Sequence, residues 1–381
     1  TKAKYKITES IPLVNGTINY ELSDFNLIGA YIQEGDNYIQ VNGIPTSGYE
    51  FNSKKSYCTV NNENINATLN YDMETQNLTI TPLTTKGTKC YLYFDEKASG
   101  GDYILAGDNP PTNSTTDWTG GTSYYYTGNP NNWVQFAGFW WRIIRINGDG
   151  TIRMIYQGTS ANTTGTGTQI GESFFNSSYN NNMYVGYMYT SGQRQGTGSS
   201  SAIKGVLDQW YSVTSGLTAY SDYIDGNAGF CGDRRVSSGN GIGTSVTNYQ
   251  PYTRISNSSP SLSCEDADIY TTTDSSTGNK SLTYPIGLIS ADEAMFAGIP
   301  IWNNSSPSNY LCTEEYYWTM SPSFFEGISA YVFNIDSSGS LVDNYYVNRT
   351  HRVRPVINLR ADVSLTGSGT TSDPFKVVGA S

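Results

Sequence analysis

Through much of the chain apolar residues recur at every second position, the period of a strand with one buried face. In residues 89–94, Cys90, Leu92 and Phe94 alternate with outward-facing neighbours. Shorter runs at 64–69 and 78–81 lie between polar turns at the roughly 8–12-residue rhythm of a small sandwich. Residues 29–97 therefore read as a small all-β domain. Before it, residues 1–28 carry Ile7, Ile11, Leu13, Ile18, Tyr20 and Leu22 without a helical repeat. That segment is an extended piece, read either as the first strands of the domain or as a donor strand that pairs with another chain.

Residues 98–123 turn to Gly, Pro, Ser and Thr, with Pro110-Pro111 and Gly120-Gly121 as punctuation, and read as a linker or long loop. The clearest hairpin follows: residues 139–146 and 151–156 are apolar-rich strands on either side of Asn147-Gly148-Asp149-Gly150. Two short helices are predicted in the remainder. Ile203, Val206, Leu207, Trp210 and Tyr211 fall on one helical face, and Ser290-Ala291-Asp292-Glu293 has the spacing of a capping box. Residues 237–281 between them read as polar loop. A second hairpin is expected from residues 328–335 and 340–347 about Asp336-Ser337-Ser338-Gly339, with one face buried and the other exposed. A late strand at 352–359 and an edge strand around Phe375 and Val377 complete the pattern. The fold class expected is α+β: a sandwich-like all-β domain, then a domain at 124–381 of antiparallel strands and two short helices.

Composition narrows the function. Of 381 residues 14% are charged, and 33 acids against 22 bases give a net charge of −11. No basic footprint for nucleic acid exists in such a chain. No apolar run approaches the roughly 18 residues of a membrane helix, since Arg145 interrupts Ile143, Ile144 and Ile146. Tyr reaches 31 and Gly 39, with Asn, Ser and Thr abundant, a mix suited to adaptable contacts or simply to a secreted β-rich protein. Thr1 follows neither an initiator Met nor an apolar leader, which fits a chain trimmed by removal of an export signal or by choice of its first residue.

Five cysteines occur and none forms a CxxC pair. Cys58 with Cys90, and Cys231 with Cys264, bracket loops of similar length and predict two disulfides in an exported protein. Cys312 is left over as a buried free thiol, an intermolecular link or a nucleophile. His351 is the single histidine, so any Ser–His or Cys–His mechanism would have to run through it. It reads as a surface histidine beside Arg349 and Arg352, which disfavour its charged form. Asp292-Glu293 and Glu314-Glu315 do not make a specific carboxylate pair. No cofactor is expected. The oxygen-rich stretches that come nearest to a calcium site are Asp222 to Asp233 and Glu265-Asp266 with Asp268.

An ordered series of segments resembles the C-type-lectin-like surface proteins of gut-associated Gram-positive bacteria, which are similar to the variable ligand-display proteins of diversity-generating retroelements and, more distantly, to formylglycine-generating enzymes. The series runs through residues 139–151, Ile203-Lys204, Leu207-Asp208, Trp210-Tyr211, Phe230-Cys231, Asp233-Arg234, residues 284–288, Asp292-Glu293 and Ala297-Gly298. It continues with Tyr317-Trp318-Thr319-Met320-Ser321-Pro322 and Arg354-Pro355-Val356-Ile357-Asn358-Leu359. The unit between Cys58 and Cys90 is similar to small β domains that precede this module. The resemblance implies a lectin-like domain whose first and last strands pair and whose loop-rich face contacts ligand. It implies displayed positions between Ser321-Pro322 and Arg354-Pro355: Phe324, Phe325, Glu326, Tyr331, Asn334, Asp343, Asn344, Tyr345, Tyr346 and Asn348. The reactive cysteines of the formylglycine enzymes have no counterpart.

These readings converge on a non-enzymatic protein of the bacterial surface. It is expected to be a pilus-like filament subunit that self-associates and carries a lectin-like domain, with a host glycan or protein as ligand, no nucleic acid as partner and no insertion into a membrane. A monomeric surface adhesin is the alternative, and an enzyme of the formylglycine-generating type the second alternative.

Overall fold

A computed structural model describes residues 8–13, 16–21, 26–45, 49–72, 77–81, 87–96, 98–302 and 304–380, with side chains from residue 29 onward. The chain is mostly β, with several sheets and a few short helices, and divides into two compact units at residues 1–98 and 99–381.

In the N-terminal unit, Lys89–Glu96 is the central strand. It lies parallel to Asn26–Glu34 on one edge and antiparallel to Tyr57–Val60 and Tyr49–Phe51 on the other. Its predicted alternation holds, because Cys90, Leu92 and Phe94 are fully buried while Tyr91 and Tyr93 face outward. A separate ribbon, Thr68–Asp72 with Asn77–Thr81, contributes Leu69, Tyr71, Leu78 and Ile80 to the same core. The Tyr71 ring meets Phe51 and Phe94, which joins ribbon and sheet as two layers. Cys58 sits directly opposite Cys90 in the ladder, and the two form a disulfide.

The extended segment separates into two parts. Thr8–Leu13 and Gly16–Glu21 pair with each other, whereas the strand entering the sheet already begins at Asn26. Residues 1–7, 14–15 and 22–25, which include Ile7 and Leu22, lie outside the described residues.

The C-terminal unit is organised by two sheets. In the first, Phe139–Ile146 has Ile152–Gly158 along one edge, while Trp133–Phe136 and Thr122–Tyr125 share the other. The predicted hairpin is therefore the hub of this sheet. In the second, Tyr317–Phe325 pairs with Ala330–Ile335, Thr247–Tyr249 and Thr350–Arg352. Four α-helices occur among the described residues: Gly100–Leu105, Ala202–Gln209, Gln250–Ser256 and Ala291–Phe296. The second buries Ile203 and Leu207 and runs on as a π-turn that buries Trp210 and Tyr211. The fourth has the predicted capping box, with Ser290 and Glu293 each bonded to the other's backbone.

Elsewhere the local pattern misleads. The stretch expected to be a linker carries the helix Gly100–Leu105 and the strands Asn113–Thr116 and Thr122–Tyr125, since Gly100 and Gly101 permit close backbone approach and Ile104 supplies an apolar anchor. The polar stretch 237–281 contains Thr247–Tyr249 and the helix Gln250–Ser256, which has Pro251 in its first turn and a buried Ile255. Ala330–Ile335 is buried on both faces, and its principal partner is the preceding Tyr317–Phe325 rather than the short Leu341–Val342. The late strand is two pieces, Thr350–Arg352 and Val356–Leu359, which join different sheets across Pro355. Phe375–Val377 is not an edge: it lies between Trp133–Phe136, to which it is parallel, and Leu365–Thr366.

A buried ionic network fastens the capped helix to the hub hairpin. Glu293 Oε1 accepts from Arg145 Nε at 3.1 Å and pairs with Arg153 Nε, and its Oε2 accepts from the Ser290 amide at 2.8 Å. Asp117 adds a second acid 4.0 Å from Arg145 and accepts from Ser123 Oγ and the Gly148 amide. Burial pushes the Glu293 carboxyl up, but Arg153, Arg145 and the Ser290 amide outweigh it and hold it below its ordinary value. The contribution is thus present above the unfolded-state value and lost as pH falls through the lower folded one. Glu293→Ala is expected to destabilise the C-terminal unit by about 3–5 kcal/mol by leaving buried guanidinium charge uncompensated. Denaturant titrations between neutral and acid pH check this, and the gap between variant and parent should narrow on acidification.

Candidate binding surface

The ten positions implied by the resemblance do not share one surface. Phe325 and Asn334 are fully buried, because both lie in strands at the heart of the second sheet. They are core residues, contrary to expectation. Tyr331 is 7% exposed; it stacks on Phe324 at 4.2 Å and donates to Glu326 Oε1 at 2.8 Å. Asp343 is half-buried and accepts from Ser323 Oγ at 2.8 Å and Trp302 Nε1 at 3.3 Å, while burial pushes its carboxyl above the ordinary value. Asn344 is exposed and Asn348 half-buried. Consecutive Tyr345 and Tyr346 diverge: Tyr346 packs near Tyr179 and Tyr331, whereas Tyr345 packs on His351 and Tyr316.

Around Tyr346 the fold gathers a face from three loops. Tyr179 stacks over Tyr346 at 6.1 Å, and its carbonyl accepts from the Ala330 amide. Asn182 donates to the carbonyls of Gly243 and Ser245, tying the 240–246 loop to the 179–182 turn. Thr247–Tyr249 pairs with Phe324 and Phe325, so the Val246 side chain lies alongside Gly327. The result exposes Ile328 at 71%, Val246 at 64%, Ile242 at 41% and Tyr179 at 38%. Phe324, itself against Tyr252, is half-buried among them. Tyr179, Ile242 and Val246 were missed from sequence, although Ile and Val isolated within Gly-Ile-Gly-Thr-Ser-Val were a signal.

His351 lies half-buried in the strand Thr350–Arg352. Its ring stacks on Tyr316 at 5.5 Å and meets the Trp318 and Tyr345 edges at 4.6 and 4.8 Å. Nε2 is buried and has no hydrogen-bond partner among the described residues. This burial, rather than the neighbouring arginines, depresses its pKa to about 4. Cys312 is a half-buried free thiol, with Sγ 3.7 Å from the Ser337 carbonyl.

Carboxylates in the two oxygen-rich stretches meet arginines. Asp233 accepts from Arg235 and from Arg254, which also forks onto Asp292. Asp268 holds the Arg234 side chain and amide, and Glu265 lies 3.6 Å from Arg194. Among the described residues no group of three or more His, Cys, Asp or Glu is placed to hold a metal ion. Cys231 and Cys264 form the second disulfide across this region.

No protein-family model, curated protein or solved structure matches this chain.

With one histidine in the sequence, the aromatic box can be read by NMR. The folded pKa near 4 lies below the ordinary 6.5, so the unfolded state binds the proton first as pH falls. Stability should decline through that window, and the His351 ring signals should titrate near pH 4. A His351→Phe variant should lack that component; titration near 6.5 would contradict the box.

Proposed function

We propose that this protein is a non-enzymatic extracellular adhesive protein whose C-terminal unit is a C-type-lectin-like scaffold and binds another protein through the face around Tyr346. The observation that carries this reading is the cluster of large apolar side chains, Tyr179, Ile242, Val246 and Ile328, on loops tied to one sheet. Contiguous exposed apolar surface favours association. Aliphatic branches between aromatic rings suit a protein surface, where anchors of both kinds fill shallow pockets. Sheet-backed loops keep the ordering cost of binding low. The two disulfides accord with an oxidising compartment.

A second reading, a pilus-like filament subunit, draws on the hairpin Thr8–Leu13 with Gly16–Glu21. Among the described residues these strands pair only with each other, which leaves outer edges able to add a strand from another copy.

Ile328→Asp combined with Val246→Asp should leave thermal unfolding unchanged, because both side chains are exposed, and should weaken attachment to host cells or matrix protein by about tenfold or more. Undiminished attachment would remove the face from the mechanism. For the filament reading, deletion of residues 1–21 spares the Asn26–Glu34 strand and should abolish polymers seen by electron microscopy and size exclusion; polymers that persist would exclude strand addition by this hairpin.

A further inference from the structure

A cavity of 350 Å³ opens in the C-terminal unit among residues 109–113 and 125–131, within the range of small-molecule sites. No charged side chain lines it: the walls are asparagine amides, threonine hydroxyls, tyrosine rings and prolines. It shares no residue with the face around Tyr346.

The cavity is braced from behind. Tyr126 is buried, and its hydroxyl donates to the Asn109 carbonyl at 2.9 Å. The Pro130 carbonyl accepts from Arg142, a buried guanidinium held 4.1 Å over the Trp133 ring. Gly128 donates to the Ala297 carbonyl and accepts from the Tyr310 amide. Tyr125 rests on Phe296 at 4.8 Å between ring centres. Backbone and rings are thus fixed before any ligand arrives.

The polar groups at the opening are lightly engaged. Asn131 reaches Asn109 Oδ1, and Asn113 reaches Thr127 Oγ1, each only at 3.4 Å, the weak end of hydrogen bonding. Among the described residues the exposed side chains of Asn129 and Thr112 make no hydrogen bond. Each amide offers donors and an acceptor, and each hydroxyl offers both.

We propose that this cavity binds a neutral carbohydrate. Sugar hydroxyls donate and accept in the same way as the amides that line the wall, and the C–H face of a pyranose suits a tyrosine ring. An anion would find no cation in the lining, and a cation no carboxylate. A wholly apolar ligand would strip water from the amides without replacing its hydrogen bonds. The site goes beyond the protein-binding face, and its test does not depend on that face.

The full chain is titrated by calorimetry and saturation-transfer NMR with methyl glycosides of neutral hexoses and N-acetylhexosamines, alongside sialic acid and glucosamine as charged counterparts. At least one neutral sugar should bind, the charged ones should not, and Asn129→Ala should weaken binding about tenfold through loss of hydrogen bonds. Asn129 is exposed and makes no internal bond, so unfolding of this variant should match the parent. Ile328→Asp with Val246→Asp should leave sugar binding intact. Absence of neutral-sugar binding at millimolar concentration, equal binding of the charged sugars, or binding untouched by both Asn129→Ala and Asn131→Ala would overturn the proposal.

Discussion

One carboxylate fixes the framework of the C-terminal unit. Glu293 caps its own helix and at the same time receives Arg145 and Arg153 from the two strands of the hub hairpin, all three side chains being buried. Charge so enclosed is tolerated only when paired and hydrogen-bonded, so helix and hairpin have one mutual placement that satisfies them. Asp117 supplies the second acid, and its bond to the Gly148 amide pins the hairpin turn as well. The aromatic core around Trp141, Tyr156 and Trp210 then fills the space beside that framework.

The same device recurs nearer the loops. Arg254 bridges Asp233 and Asp292, and Arg234 is held by Asp268. Arg354 reaches the carbonyls of Tyr156 and Leu311. Such pairs tie long irregular segments to the sheets without a large apolar core beneath each loop. The loop that carries the exposed Val246 is tied instead by Asn182, which donates to the Gly243 and Ser245 carbonyls, so its conformation does not depend on burying that side chain. We regard this as the physical basis for reading the unit as a scaffold for binding.

Several elements were legible in the sequence because their determinants are local. Alternation at Cys90, Leu92 and Phe94, the Asn147–Gly150 turn, the Ser290–Glu293 cap and both cysteine pairs all appear where the pattern placed them. Other elements were not legible. Ala330–Ile335 shows an alternation that implies an exposed face, yet both of its faces are covered by parts of the chain remote in sequence. Helix Gln250–Ser256 lies in polar surroundings and has one full apolar anchor, Ile255, too few for periodicity to register. The ten display positions differ in burial for a related reason: residue type marks stickiness, and burial depends on what packs above.

The sequence alone determined strand period, turns, caps, cysteine partners and the acidic net charge, since each depends on residues close together or on a simple sum of charge. Tertiary structure alone decided that Asn334 and Phe325 lie inside, that burial among rings rather than neighbouring charge lowers the His351 pKa, and that the loops carrying Tyr179, Val246 and Ile328 are tied side by side. Those outcomes depend on which distant segments exclude water from a side chain, and that is a property of the packed chain rather than of any stretch of it.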